Sequence, residues 1–158
     1  MTGHHNYKLT IKWTGNNGSG TSAYRSYERS HVIAVDGKID IPASSDPVFR
    51  GDKTRYNPEE LLVAALSSCH MLSFLHECVK AGVIVTDYVD QATGTMVETP
   101  DGGGHFSEVT LNPIVTVTDR SMIETANELH EKASKLCFIA SSVNFPVHHR
   151  PTCQTVET

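Results

Sequence analysis

"NPEELLVAALSSCHMLSFLHECVKAG", Asn57 to Gly82, is the stretch on which the reading of the whole chain turns. Asn57 suits a helix N-cap and Pro58 the first helical position, while Glu59 and Glu60 sit where the helix dipole favours negative charge. Lys80 suits the last turn, and Gly82 the left-handed position that ends a helix. Apolar residues lie almost all round the helix between these ends. That pattern predicts a buried central helix, one that needs cover on both sides rather than a single sheet with water behind it.

Outward from this helix the chain alternates with strands. "YKLTIKWTG" alternates polar and apolar residues and predicts a half-buried strand from Tyr7 to Thr14. "SHVIAVDGKIDIPAS" reads as two short strands about Asp36-Gly37. "SDPVFRGDKTRY" is a polar loop carrying Arg50 and Arg55. Beyond the helix, "VIVTDYVDQATGTMVET" and "HFSEVTLNPIVTVTD" predict two long strands joined by "PDGGG". "SMIE", Ser121 to Glu124, has the pattern of a capping box. It opens a second helix, with an apolar stripe of Ile123, Ala126, His130, Ala133 and Cys137. The tail "VHHRPTCQTVE" reads as an edge strand that Pro151 disfavours, and His148-His149 as a solvated pair. The sum is an α+β protein in which a dimer packs two central helices between two sheets.

Composition narrows the function classes. A chain of 158 residues fits one domain, 1–158, and buries a core without disulfide or metal staples. The formal net charge is −5 with no basic run, which argues against nucleic acid. The apolar stretch from Leu61 to Val79 is interrupted by His70, His76, Glu77 and several serines, and the N-terminus lacks a signal-peptide layout, so a cytoplasmic protein without a membrane partner is expected. Cysteines in that compartment are usually reduced, and a disulfide that forms there is more often catalytic or redox-sensing than structural.

There are four cysteines. Cys69 and Cys78 are nine positions apart and, at about 100° per residue, point to opposite sides of the helix, so they do not pair within it. Cys78 and Cys153 read as inert packing residues. Cys69 sits in the small-residue patch "SSCH", which another segment can approach closely. Cys137 ends the second helix. If "FIASSV" restarts as a helix, Cys137 stands at an N-terminus, where the dipole favours a thiolate. Spacing leaves chemistry and packing equally open for both. A metal site fits poorly: Cys69 and His76 share a face but are about 10 Å apart along the axis, beyond the reach of zinc–ligand bonds of about 2.0–2.3 Å. Neither a G-x-S-x-G elbow nor a phosphate-binding glycine loop is present.

"NPEELLVAALSSCHM" and "KASKLCFIASSVNF" together resemble the two cysteine motifs of the OsmC/Ohr superfamily, the osmotically inducible and organic hydroperoxide resistance proteins. The order of elements matches over nearly the whole chain. Two departures stand out: Phe138 occupies a position where many members have Pro, and His70 follows Cys69, as in a less-studied branch.

The resemblance implies antiparallel sheets wrapped around central helices in an intertwined homodimer. It also implies a cysteine-based peroxidase that needs no cofactor and no metal. Cys69 matches the peroxidatic cysteine, Cys137 the resolving one, and Glu59 the carboxylate that orients a catalytic arginine; Arg50 and Arg55 both remain candidates for that arginine. The implied substrate is an organic hydroperoxide, against apolar walls of Leu66, Leu72, Phe74 and Phe138, and the implied reductant is a dithiol, lipoyl-type among the choices. Glu59 and Cys69 are about 15 Å apart along one helix, so only two helices crossing about a two-fold axis bring one chain's Glu59 to the other's Cys69. The competing reading is a non-catalytic α+β dimer, a binding or scaffold protein with redox-inert thiols.

Overall fold

A computed structural model describes residues 2–156. The chain forms two compact units, one up to Leu61 and one from Leu62 onward.

In the first unit, β1 (Thr10–Trp13), β2 (His31–Ala34) and β3 (Ile41–Ala43) form an antiparallel sheet in that order. The turn between β2 and β3 places Gly37 at φ 74°. β1 is shorter than the Tyr7–Thr14 expected. All four of its residues are exposed, so burial does not enforce the alternation there. A short 3-10 turn, Pro47–Phe49, is capped by Asp46, whose side chain accepts from the backbone N–H of Val48 at 2.8 Å. It ends on Arg50 in the left-handed region at φ 64°. Gly51 follows because nothing larger fits: a Cβ there would lie 1.6 Å from the Ser45 carbonyl oxygen.

The central helix, α1, runs Pro58–Ala81. The Glu60 N–H donates to Asn57 Oδ1 at 2.8 Å, and the Asn57 N–H donates to Glu60 Oε2 at 3.2 Å. This reciprocal capping satisfies two otherwise orphaned donors. At the other end Gly82, at φ 72°, lets the Val83 N–H reach the Cys78 carbonyl at 2.9 Å. α1 is long and apolar enough in length and composition to cross a membrane. In this fold it serves as a core helix, with Leu66, His70, Phe74, Glu77 and Cys78 as its buried stripe. Leu72 and Val79 are exposed, so the single chain covers one side of α1 and not the whole circumference expected from its composition.

In the second unit the two long strands are each broken in the middle. The first becomes β4 (Val85–Asp90) and β5 (Thr93–Glu98), the second β6 (Gly104–Leu111) and β7 (Pro113–Val117). The tail breaks at the same level into β8 (Val147–His149) and β9 (Thr152–Thr155). Two sheets result, β4-β7-β9 and β5-β6-β8. β8 pairs with β6, and β9 with β7, in parallel, so these sheets are mixed rather than antiparallel throughout. The break has a chemical cause. Pro113 and Pro151, just past it, have no N–H to give a ladder. Asp90 instead accepts from the Asn112 N–H at 2.7 Å and from Ser67 Oγ of α1 at 2.5 Å.

α1 packs across both sheets of this unit. Leu66 joins Val109 and Leu111 on one; Phe74 and Cys78 join Val115 and Val117 on the other, with Ala126 and Ala133 of α2 (Ile123–Leu136). The predicted Ser121–Glu124 capping box does not form. Asp119 caps a preceding 3-10 turn, Arg120–Met122, by accepting from the backbone N–H and the hydroxyl of Ser121 at 2.8 and 2.6 Å. With its hydroxyl donating back to Asp119, Ser121 has no role at the start of α2.

Candidate thiol site

Cys69 and Cys137 come together in the second unit. Cys69 is half-buried on α1; Cys137 is buried where α2 ends. Burial pushes the Cys137 thiol up to about 11, and the adjoining Cys69 side chain acts in the same direction. After Cys137 the chain makes a 3-10 turn at Ala140–Ser142 rather than a full helix. The Ala140 N–H points at Cys137 Sγ at 3.4 Å and the Ser141 N–H donates to the Cys137 carbonyl at 3.1 Å. The Ala140 and Ile139 N–H groups favour the thiolate, as expected of a helix start, yet burial outweighs them. Cys137 therefore rests as a neutral thiol.

Cys78 belongs to the core beside Cys153. Burial and the neighbouring Cys153 and Glu77 push its thiol up to about 11, and Cys153 is also raised by burial. An inert packing role suits both.

The charged candidates lie in the first unit. Arg50 is exposed, its guanidinium 5.9 Å from the Tyr24 ring centroid. Arg55 pairs with Asp52 at 3.6 Å and not with Glu59 or Glu60. Glu59 is half-buried, and its Oε2 is enclosed without a hydrogen-bond partner among the described residues. A carboxylate oxygen so placed needs a donor. Of the four expected apolar walls, Leu66 and Phe74 are fully buried core residues and unavailable to a ligand, whereas Leu72 and Phe138 are 62% and 78% exposed.

A histidine cluster was not foreseen. His70 of α1, His130 of α2 and His149 of β8 pack together, with His70 Nε2 and His130 Nδ1 at 3.0 Å. His130 also stacks on Phe74, with ring centroids 3.9 Å apart. The expectation of a solvated His148-His149 pair is half corrected. Strand alternation sends His148 out to Glu108 at 3.3 Å and turns His149 in toward His70. Burial holds His70 down to about 3 and His130 to about 4; both stay neutral at pH 7. His130 was legible only as a member of an apolar stripe, which does not distinguish a packed histidine from a partnered one.

Comparison with known proteins agrees with this architecture. The family described as OsmC-like protein matches residues 51–151. An OsmC-like protein of unknown function from Vibrio cholerae is 30% identical, with a TM-score of 0.84 over 94% of this chain and 100% of its own. An organic hydroperoxide resistance protein from Elizabethkingia anophelis is 19% identical, with a TM-score of 0.66 over 96% of this chain and 98% of its own. One from Bacillus subtilis is also 19% identical, with a TM-score of 0.64 over 94% and 98%. None of the curated proteins matches the sequence.

Proposed function

This chain belongs to the OsmC-like protein family, and from that premise we propose that it is a thiol-dependent peroxidase acting on organic hydroperoxides. The observation that carries the reading is the meeting of Cys69 and Cys137, from two different helices, at one place in the second unit. The names of the hydroperoxide resistance proteins that share the fold support the substrate class.

In this reading the Cys69 thiolate attacks one oxygen of the peroxide O–O bond. The bond breaks, an alcohol leaves after taking up a proton, and Cys69 becomes a sulfenic acid. Cys137 sulfur then attacks the Cys69 sulfur. Water leaves and a Cys69–Cys137 disulfide remains. A dithiol reductant, lipoyl-type or protein-bound, restores both thiols by exchange and is itself oxidised to a disulfide. The half-buried Cys69 is the one the peroxide reaches. The deeply buried Cys137 stays protonated until its partner is oxidised.

The thiolate needs a cation beside it, because a free thiol near pKa 8.5 is only a few per cent ionised at neutral pH. We assign that role to Arg50 or Arg55 and its orientation to Glu59, supplied across a homodimer. The exposed apolar residues Leu72 and Val79 of α1 support a second chain against this helix.

The raised thiol of Cys137 favours one competing reading, a scaffold dimer with inert thiols. One equivalent of cumene hydroperoxide separates the two. The peroxidase loses two free thiols per chain, shows a Cys69–Cys137 link on non-reducing peptide mapping, and regains both thiols with a dithiol. Unchanged thiol content, or a Cys78–Cys153 link instead, defeats the proposal.

A further inference from the structure

The histidine cluster stands where α1 and α2 hold the two thiols together. His70 directly follows Cys69, and His130 lies two turns before Cys137, which follows the last residue of α2. The His70–His130 hydrogen bond is thus a direct polar tie between the helices, one residue after Cys69 on α1 and two turns before Cys137. Three ring nitrogens, His70 Nδ1, His130 Nε2 and His149 Nε2, are buried without partners among the described residues. Full burial of uncompensated polar atoms is costly, and a purely structural contact is served better by apolar side chains.

We propose that His70, His130 and His149 form a proton-operated latch, whose neutral hydrogen bond keeps Cys137 beside Cys69 and whose protonation releases α2 from α1. The gating of the thiols rests on the peroxidase reading; the latch itself does not.

The chemistry is that of imidazole. A neutral ring carries one N–H and one lone pair, and the His70–His130 bond uses one of each. With both rings protonated, both facing nitrogens carry hydrogen and the bond cannot form. The groups around the cluster do little to compensate. Asp90 is the carboxylate whose charge reaches it, favouring protonated His149, while already accepting from Ser67 and Asn112. His148, which opposes that charge, pairs with Glu108. Glu77, further along α1, is engaged by Lys80 and Lys132. Tyr88 presents only a buried, partnerless hydroxyl. Phe74, stacked on His130, offers a ring face that offsets a small part of the cost of a cation.

Linkage sets the direction. Once opened to water, each histidine titrates near its ordinary pKa of about 6.5. Each proton taken up only by the opened form favours opening about tenfold per pH unit below that value. For the two bridging histidines the opening equilibrium therefore shifts about 250-fold between pH 6.5 and pH 5.

The test is amide hydrogen exchange on the full chain between pH 7.0 and 5.0, corrected for intrinsic exchange. α2 is read against the β5–β6 hairpin in the same sample. The latch predicts that protection of α2 relative to the hairpin falls at least tenfold. In His130→Gln, which keeps a donor and an acceptor but does not titrate, one of the two linked protons is gone and the fall is at least threefold smaller than in the unmodified protein. A constant ratio in the unmodified protein, or an equal fall in His130→Gln, overturns the latch. Gating is read separately with one equivalent of cumene hydroperoxide and a fixed concentration of a cyclic 1,3-diketone that traps sulfenic acid. The disulfide-to-adduct ratio falls more steeply than the tenfold per pH unit that deprotonation of one attacking thiol explains. A slope of tenfold or less while α2 opens overturns gating. Absence of both products at pH 7.5 defeats the peroxidase reading and leaves the latch to the exchange result.

Discussion

At the scale of single residues, the four cysteines divide by surroundings rather than by type. Cys69 is half-buried and adjoins Cys137. Cys78 and Cys153 share an apolar cluster and are both raised by burial. Replacing Cys69 by Ser is expected to abolish hydroperoxide consumption with a dithiol reductant. Cys78→Ser and Cys153→Ser keep most of it. Full activity in Cys69→Ser sinks the mechanism. The activating arginine is decided by the pH dependence of Cys69 alkylation. Loss of a cation within about 4–6 Å of a thiolate raises the thiol pKa, so the curve moves to higher pH in either Arg50→Ala or Arg55→Ala. Arg50 is held by its left-handed backbone and the close approach of Gly51 to Ser45, whereas Arg55 must give up Asp52 to act. An unmoved curve in both variants removes the loop from the site.

At the scale of elements, the ends of the helices carry different weights than their sequences suggest. Asn57 and Glu60 cap α1 reciprocally, while Ser121 only serves Asp119. Asn57→Ala is therefore expected to cost about 1 kcal/mol in chemical denaturation, the usual loss for an N-cap side chain. Asp119→Ala belongs to the same class, with a loss of about 0.5–2 kcal/mol. Ser121→Ala leaves the cap oxygen in place and should fall within about 0.5 kcal/mol of the parent. A larger loss at Ser121 than at Asp119 restores the capping box that the sequence pattern suggests. Between elements, Phe74 joins α1, α2 and the β4-β7-β9 sheet; Phe74→Ala is expected to cost about 3–5 kcal/mol.

For the whole molecule, stability should respond to mild acid through the histidines. His70 and His130 have folded pKa values of about 3 and 4, below the ordinary 6.5. The unfolded chain thus binds more protons, and stability rises with pH through this window. It is fully present above about 6.5 and declines as pH falls, by up to about 1.4 kcal/mol per pH unit for each proton. Asp52, Glu77, Asp101 and Asp119 are lowered carboxyls, and their contribution is lost only below about pH 4.5. Urea midpoints between pH 7 and 5 therefore isolate the histidine effect, and a flat profile there contradicts it. Sedimentation at micromolar concentration is expected to show a homodimer, since exposed Leu72, Val79 and Phe138 call for cover. A monomer removes the composite site with its partner-supplied arginine.

What the sequence determined by itself was whatever local chemistry specifies. The span of α1 follows from Asn57, Pro58 and Gly82, because caps and breakers act within a turn. The family follows from two cysteine motifs, and the division of labour between Cys69 and Cys78 from 100° of rotation per residue. The tertiary structure alone decided what depends on residues distant in the chain. The long strands break where Pro113, Pro151, Asp90 and Asn112 meet, a level that no single strand's pattern marks. The Cys137 thiol is raised because burial outweighs the turn that follows it. Leu66 and Phe74 became core rather than pocket because apolar character does not say which neighbour fills a space. The histidine cluster arises from α1, α2 and β8, and a histidine's partner and protonation are set by burial, which only packing supplies.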